Sequence, residues 1–213
     1  MTPRGALASG IAELGLDIDY ATQTKLLAFV ALLEKWNRTH NLTAIREPLR
    51  MVTHHLLDAL AALPHLPQRR ALRLIDVGSG GGLPGIPLAV VRPDWSVTLL
   101  DGNRKKAAFL RQAAAELGLP NLAVAATRVE SYAPEVRFDV AISRAFAALP
   151  HFVLAAHHLV GEGGRLVALK GTYPQEELAA LAPGFRVAAV QELHVPGLDE
   201  KRHLVVVQAD PAS

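Results

Sequence analysis

The feature that most constrains this chain is the run Leu72-Arg73-Leu74-Ile75-Asp76-Val77-Gly78-Ser79-Gly80-Gly81-Gly82-Leu83-Pro84-Gly85-Ile86-Pro87. An apolar stretch that ends in a cluster of glycines and then resumes its apolar pattern reads as a strand, a tight loop and a helix in succession. The glycines at 78, 80, 81, 82 and 85 allow positive φ and a close approach of backbone to a ligand. Pro84 and Pro87 suit the first turn of a helix, where the backbone N–H groups lack partners in any case. Such a helix start faces the ligand and favours an anionic group, either a pyrophosphate or the carboxylate of an amino-acid moiety.

Two cofactor classes compete for this loop. Gly80-Gly81-Gly82-Leu83-Pro84-Gly85 satisfies the GxGxxG pattern of dinucleotide binders. Val97-Thr98-Leu99-Leu100 reads as the next strand, and Asp101 follows it 21 residues after Gly80, the offset at which a carboxylate reaches ribose hydroxyls. That holds for NAD and for S-adenosylmethionine alike. Asp76, two residues before the first glycine, puts negative charge beside the loop, which suits a sulfonium and an ammonium better than two phosphates. The methyl donor is favoured, with an NAD-dependent oxidoreductase left as a rival.

The 213 residues suffice for one α/β domain with a small appendage. No apolar run approaches the roughly 20 residues of a membrane span and no secretory signal opens the chain, so a cytoplasmic protein is expected. The absence of cysteine excludes disulfides, thiolate metal sites and a cysteine nucleophile for attack on pyrimidine carbons. A net charge of only +2 permits a polyanionic partner without demanding one.

Along the chain, a short helix is expected near Ala6 to Leu14. A second runs from Asp19 to Trp36, where Leu26, Phe29, Val30, Leu32, Leu33 and Trp36 form an apolar stripe and Asp19 or Thr22 caps the start. Asn37 to Thr43 is polar and breaks the period. Pro48 then starts a helix with a stripe from Leu49 to Leu63, closed by Pro64 and Pro67. Residues 1–70 are thus expected to form a helical extension packed on a Rossmann-like domain, 71–213. In that domain strands at 73–77, 96–100, 122–126, 138–143 and 165–170 alternate with helices near 84–91, 104–117, 148–158 and 175–181, the signature of a doubly wound parallel sheet. Two closing strands near 185–194 and 203–208, joined by Pro196-Gly197 without a helix, imply an antiparallel hairpin at one edge.

Such sheets bind ligands at the carboxyl ends of their strands, so the residues just after each strand carry most weight. These are Gly78 to Leu83, Asp101-Gly102-Asn103, Arg128-Val129-Glu130, Ser143 to Phe146 and Lys170-Gly171. Each has a plainer reading beside the functional one: Asp101 as a helix cap, Glu130 as a surface acid, Arg144 and Lys170 as members of structural ion pairs. Arg104-Lys105-Lys106 in a first turn oppose the helix dipole and invite a phosphate. Arg144 and Lys170, with Arg38, His40, Arg46 and Arg50 of the appendage, form the candidate border of one basic cleft. His54-His55 with Asp58, and His157-His158, lack the spacing of a metal site, so no metal is expected. A hydrogen bond between His55 and Asp58, three apart on one helix face, is the expected alternative.

At this point whole tracts agree with a known family. Trp36-Asn37 through Asn41-Leu42-Thr43, His55-Leu56-Leu57-Asp58, Asp76 through Leu88, Arg128-Val129-Glu130, Ser143-Arg144-Ala145-Phe146, Leu169-Lys170-Gly171 and Glu200 through Val205 together resemble the bacterial 16S rRNA guanine-N7 methyltransferase family RsmG, also called GidB. The resemblance spans about residues 30 to 207 and departs at Gly81-Gly82, where relatives often carry a proline. It implies a class I S-adenosylmethionine-dependent methyltransferase fold with an N-terminal helical extension, and methylation of N7 of the guanine conventionally numbered 527, with S-adenosylhomocysteine as the other product. It also implies that Gly78, Leu83, Val129, Glu130 and Arg144 line the donor site. Asp101 resembles the ribose-binding acid of class I methyltransferases, and Gly80, Gly102 and Asn103 belong to the same two loops.

Guanine N7 carries a lone pair and no proton, so a positioning mechanism without a general base is expected and no catalytic acid or base is assigned. Arg144, Lys170 and Phe146 are the candidates for orienting RNA, Phe146 by stacking. The expected partner is 16S rRNA, free or within a small-subunit or assembly particle, with no membrane and with the enzyme as a monomer. A methyltransferase of this fold acting on another acceptor, and a non-catalytic RNA-binding module, are the alternatives.

Overall fold

The computed structural model describes residues 2–210. Its helices are α1 (Pro3–Glu13), α2 (Tyr20–His40), α3 (Pro48–Met51), α4 (Asp58–Ala61), α5 (Gly85–Val91), α6 (Arg104–Glu116), α7 (Leu149–Ala156) and α8 (Gln175–Ala179). Its strands are β1 (Arg73–Val77), β2 (Ser96–Leu100), β3 (Leu122–Ala125), β4 (Phe138–Arg144), β5 (Val160–Lys170), β6 (Phe185–Leu193) and β7 (Arg202–Ala209). They form one seven-stranded sheet in the order β3-β2-β1-β4-β5-β7-β6. The first five strands pair in parallel, and β7 inserts antiparallel between β5 and β6. The expected doubly wound sheet and edge hairpin are both present. The strand order turns back on the two sides of β1, and the ends of β1 and β4 there open towards the ligand edge.

Local chemistry sets the element ends. The Asp19 carboxylate accepts from Thr22 N at 2.7 Å and caps α2. That helix runs four residues past Trp36, because the buried Asn37 stays helical while its Oδ1 accepts from Thr43 N at 2.9 Å and folds the next segment back. Asn41 closes it in the left-handed conformation at φ 47°. Between α3 and α4 the chain is π-helical over Val52–Leu57, so the helix begun at Pro48 continues with a widened turn. β5 starts at Val160 rather than 165, with Gly161–Gly164 bulging out of register against β4.

One apolar cluster joins Leu7, Leu26, Phe29 and Leu33 of the first two helices to Leu56 and Leu60, and onward to Ile86, Leu99 and Phe109 on one face of the sheet. A second, with Phe152, Val153 and Leu159, covers the opposite face. Burying side chains of this size contributes about 1.5–3 kcal/mol each before chain entropy is subtracted. The helical segment therefore cannot be lifted away without exposing the main core. It sits over one side of the carboxyl edge of the sheet, where Leu33 and Leu42 abut Gly81.

Candidate functional site

The glycine run builds the centre of the site. Gly78 N and Ser79 N both donate to Leu100 O, at 2.8 and 3.1 Å, which draws the turn after β1 onto the end of β2. Gly78 lies at φ +71°, and a Cβ there would come within 2.5 Å of Phe146 Cδ2, so glycine is needed for conformation and for space. The turn closes through Gly82 N and Leu83 N, which donate to Ser79 O at 2.8 and 3.1 Å. Asp101 anchors it from the second strand: Oδ2 accepts from Gly80 N at 2.9 Å and Oδ1 from Asn103 N at 2.8 Å. The helix cap that sequence offered as the plainer reading of Asp101 belongs to Asn103, whose side chain accepts from Lys105 N and Lys106 N.

A cleft of about 320 Å³ opens in front of this turn. Val77, Leu100, Val129 and Phe146 give it apolar walls, and Asp101, Asn103, Thr127, Arg128 and Glu130 give it polar ones. Of the residues named from the sequence, Gly78, Asp101, Gly102, Asn103, Arg128, Val129, Glu130 and Phe146 are brought together here. Gly80 supports the turn behind them. Leu83 is only 4% exposed and packs in the core with Ile86, away from the lining. Thr127 was not singled out from the sequence, although its place just past β3 was the available signal.

Asp76 acts differently from its sequence reading. It is fully buried, Oδ2 accepts from Gly85 N at 2.9 Å at the start of α5, and Oδ1 has no hydrogen-bond partner among the described residues. Burial pushes its carboxyl up to about 7, against the pull of the Gly85 hydrogen bond. Asp76 thus fastens the helix to the strand from behind the turn, and its charge does not face the cleft.

Arg144 also departs from expectation. Its guanidinium turns towards the N-terminal helices, where Nη1 donates to His54 O at 3.0 Å and to Asp58 Oδ2 at 3.1 Å. It is absent from the cleft lining. The expected His55–Asp58 bond does not form, because the π-helical turn removes the spacing that would stack the two. Asp58 instead receives Arg144 and Arg202 Nε, the latter at 3.1 Å, while His55 Nε2 meets Thr43 Oγ1 at 2.8 Å. Burial, then the neighbouring Arg144 charge, lower His55 to about 4, so it is neutral at physiological pH. Lys170 donates to Glu177 Oε2 at 2.7 Å and to Ala147 O at 3.1 Å, bracing the loop that carries Phe146. Among the described residues no group of three or more His, Cys, Asp or Glu side chains is placed to hold a metal ion, and no helix is long and apolar enough to cross a membrane.

Residues 22–205 match the family model described as rRNA small subunit methyltransferase G. The chain belongs to that family. A relative from Azoarcus sp. named ribosomal RNA small subunit methyltransferase G is 55% identical over 208 residues, covering 97% of each chain. One of the same name from Laribacter hongkongensis is 53% identical over 205 residues, 96% of this chain and 98% of its own. The fold is shared with a mutant of MtNAS solved in complex with S-adenosylmethionine, at 20% identity and a TM-score of 0.58, over 89% of this chain and 76% of that one.

Family membership puts the chemistry of the cleft in context. Apolar walls beside two acidic residues and Arg128 suit a ligand with a flat heteroaromatic ring, vicinal hydroxyls, positive groups and a carboxylate, which is the make-up of S-adenosylmethionine. Gly78 leaves room for close backbone approach, and Glu130 is exposed at the rim with no hydrogen-bond partner among the described residues. The residues present fit that donor.

Proposed function

We propose that this chain transfers the methyl group of S-adenosylmethionine to N7 of a guanine in 16S rRNA, the position conventionally numbered 527. One observation carries the reading: the family of rRNA small subunit methyltransferases is matched over residues 22–205, and that span contains the whole lining of the cleft. When bound, the donor supplies an electrophilic methyl on a positively charged sulfur.

The protein's part is positioning. Asp101 and Glu130 are the groups for the ribose hydroxyls and the ammonium, and Val77, Leu100, Val129 and Phe146 flank the adenine. Asp101 and Glu130 offset the positive charge of the donor, Arg128 stands beside them for its carboxylate, and Gly78 keeps the turn low enough to admit it. N7 presents its lone pair on the major-groove edge and loses no proton, so no general base is required, in keeping with a cleft lined by neither His nor Lys. Within this reading residues 1–70 are an extension packed on a catalytic domain of residues 71–213. The enzyme works as a cytoplasmic monomer on free 16S rRNA or on a small-subunit particle, with Phe146 at the edge where RNA enters and Arg144 and Lys170, held by Asp58 and Glu177, bracing the loops around it.

The test is to map methylated nucleotides in 16S rRNA from cells lacking this protein and from cells regaining it. Loss and return of one N7-methylguanine at that position supports the proposal. A missing methyl elsewhere in the rRNA moves the target. Binding of extracted rRNA without methyl incorporation from labelled donor supports a non-catalytic module, and calorimetric binding of NADH in place of S-adenosylhomocysteine supports an oxidoreductase.

A further inference from the structure

We propose that Tyr173 is a stacking platform for a base of the RNA substrate, next to the position of the acceptor guanine. The inference rests on the function proposed above and adds to it a recognition residue outside the donor cleft. Five large apolar side chains are prominently exposed among the described residues: Tyr20, Val136, Leu154, Tyr173 and Val187. Only Tyr173 lies at the carboxyl edge of the sheet, on the loop that leaves β5 directly after Lys170. β5 is hydrogen-bonded to β4, and the loop after β4 supplies Phe146 to the cleft. Tyr20, the other exposed aromatic, has its ring covered by the Arg4 guanidinium at 4.7 Å.

Tyr173 is 54% exposed and yet held in place. Its ring meets that of His203 edge to face, with centroids 5.7 Å apart and planes at 84°. His203 is buried, pairs with Lys170 across β5 and β7, and its Nδ1 lies 3.0 Å from Gly171 O. Gln175 N donates to Tyr173 O at 3.1 Å, and Lys170 is tied to both Ala147 O and Glu177. A solvent-facing ring on a loop braced from both ends loses little freedom when it binds a flat partner. Nucleobases are such partners, and stacking on aromatic side chains is how proteins commonly hold bases splayed from a single-stranded RNA segment. Lys201, two residues before His203, is exposed and only loosely paired with Glu192 at 3.8 Å, and is the cation on this side for an adjoining phosphate, whereas Arg202 is taken up by Asp58.

The experiment compares full-length wild type with Tyr173→Ala, Tyr173→Phe and Tyr173→Leu in steady-state methylation of 16S rRNA and of small subunits, together with calorimetric binding of S-adenosylhomocysteine. Tyr173→Ala and Tyr173→Leu are expected to raise KM for RNA by about tenfold or more, with kcat and cofactor affinity unchanged, and Tyr173→Phe to stay within about twofold of wild type. A wild-type KM in Tyr173→Ala overturns the inference, and so does a Phe variant as impaired as Ala, which would point to the hydroxyl. A parallel loss of cofactor affinity overturns it as well. If circular dichroism shows the Ala variant misfolded, Tyr173→Leu, which keeps bulk against His203, decides by the same criteria. Failure of the wild type to methylate any rRNA is a different result, because it removes the proposed function itself.

Discussion

Asp58 Oδ2 accepts from Arg144 Nη1 at 3.1 Å across 86 residues of chain, and this contact ties the helical segment to the end of the central strand β4. The carboxylate is 5% exposed and its Oδ1 is taken by Arg202 from β7. Removing it leaves the Arg144 and Arg202 guanidinium groups without the carboxylate they share. Asp58→Ala is therefore expected to destabilise the fold by about 3 kcal/mol, the low end of the cost of breaking a buried pair, since each arginine retains some solvent. Urea denaturation followed by circular dichroism checks it; a midpoint equal to wild type would show that the contact contributes nothing.

Gly78 and Phe146 oppose each other across the floor of the cleft. Gly78→Ala places a methyl where Phe146 Cδ2 now lies and forces a side chain into φ +71°. The conformational cost is about 1–2 kcal/mol, and the displaced ring narrows the cleft. Affinity for S-adenosylhomocysteine should fall by about tenfold or more, while thermal stability drops modestly. Undiminished binding in calorimetry would mean that Phe146 moves aside freely.

Glu130 offers a cleaner separation of binding from stability. It is exposed at the cleft rim, so Glu130→Gln is expected to leave the melting temperature within the usual range for surface changes, about ±0.5 kcal/mol in stability. Cofactor affinity should nevertheless fall by about fivefold or more, because a hydrogen bond to a charged group is worth about 1.5–3 kcal/mol. Equal affinity of the two proteins for S-adenosylhomocysteine would return Glu130 to the role of a solvated acid.

Most of the sheet could be read from the chain because parallel strands buried on both faces appear as short, mainly apolar runs, as at Leu74–Val77 and Val97–Leu100, each with a single polar residue. The hairpin was legible for a different reason, since Pro196-Gly197 leaves no room for a crossover helix. What escaped depends on partners distant in sequence. Asn37 continues α2 because its side chain is engaged by Thr43, which outweighs its weak helix propensity. The π-helical turn at Val52–Leu57 is invisible to a count made at the α period, and with it went the expected His55–Asp58 bond. Most of the lining of the cleft was legible in the residues that follow β1 to β4, but not the direction of Arg144, which is set by an acid on another element. Asp76 was placed correctly beside the loop and misjudged in its action, since sequence position does not reveal that its carboxyl points inward to Gly85.

That inward carboxyl and the buried His55 give opposite pH dependences over one window. The folded state raises Asp76 to about 7 from an ordinary 3.8, so it takes up a proton that the unfolded chain releases, and this stability is present below about pH 4 and lost as pH rises to about 7. His55 is lowered to about 4 from 6.5, so its contribution is complete above pH 6.5 and lost as pH falls towards 4. The two largely offset each other in wild type. Asp76→Asn removes one side of the balance, and its stability should fall more steeply than that of wild type as pH is lowered from 7 to 4. His55→Gln removes the other, and its stability relative to wild type should improve over the same interval. Urea midpoints measured at several pH values for the three proteins test this directly. Parallel profiles would show that neither group titrates differently in the folded and unfolded states.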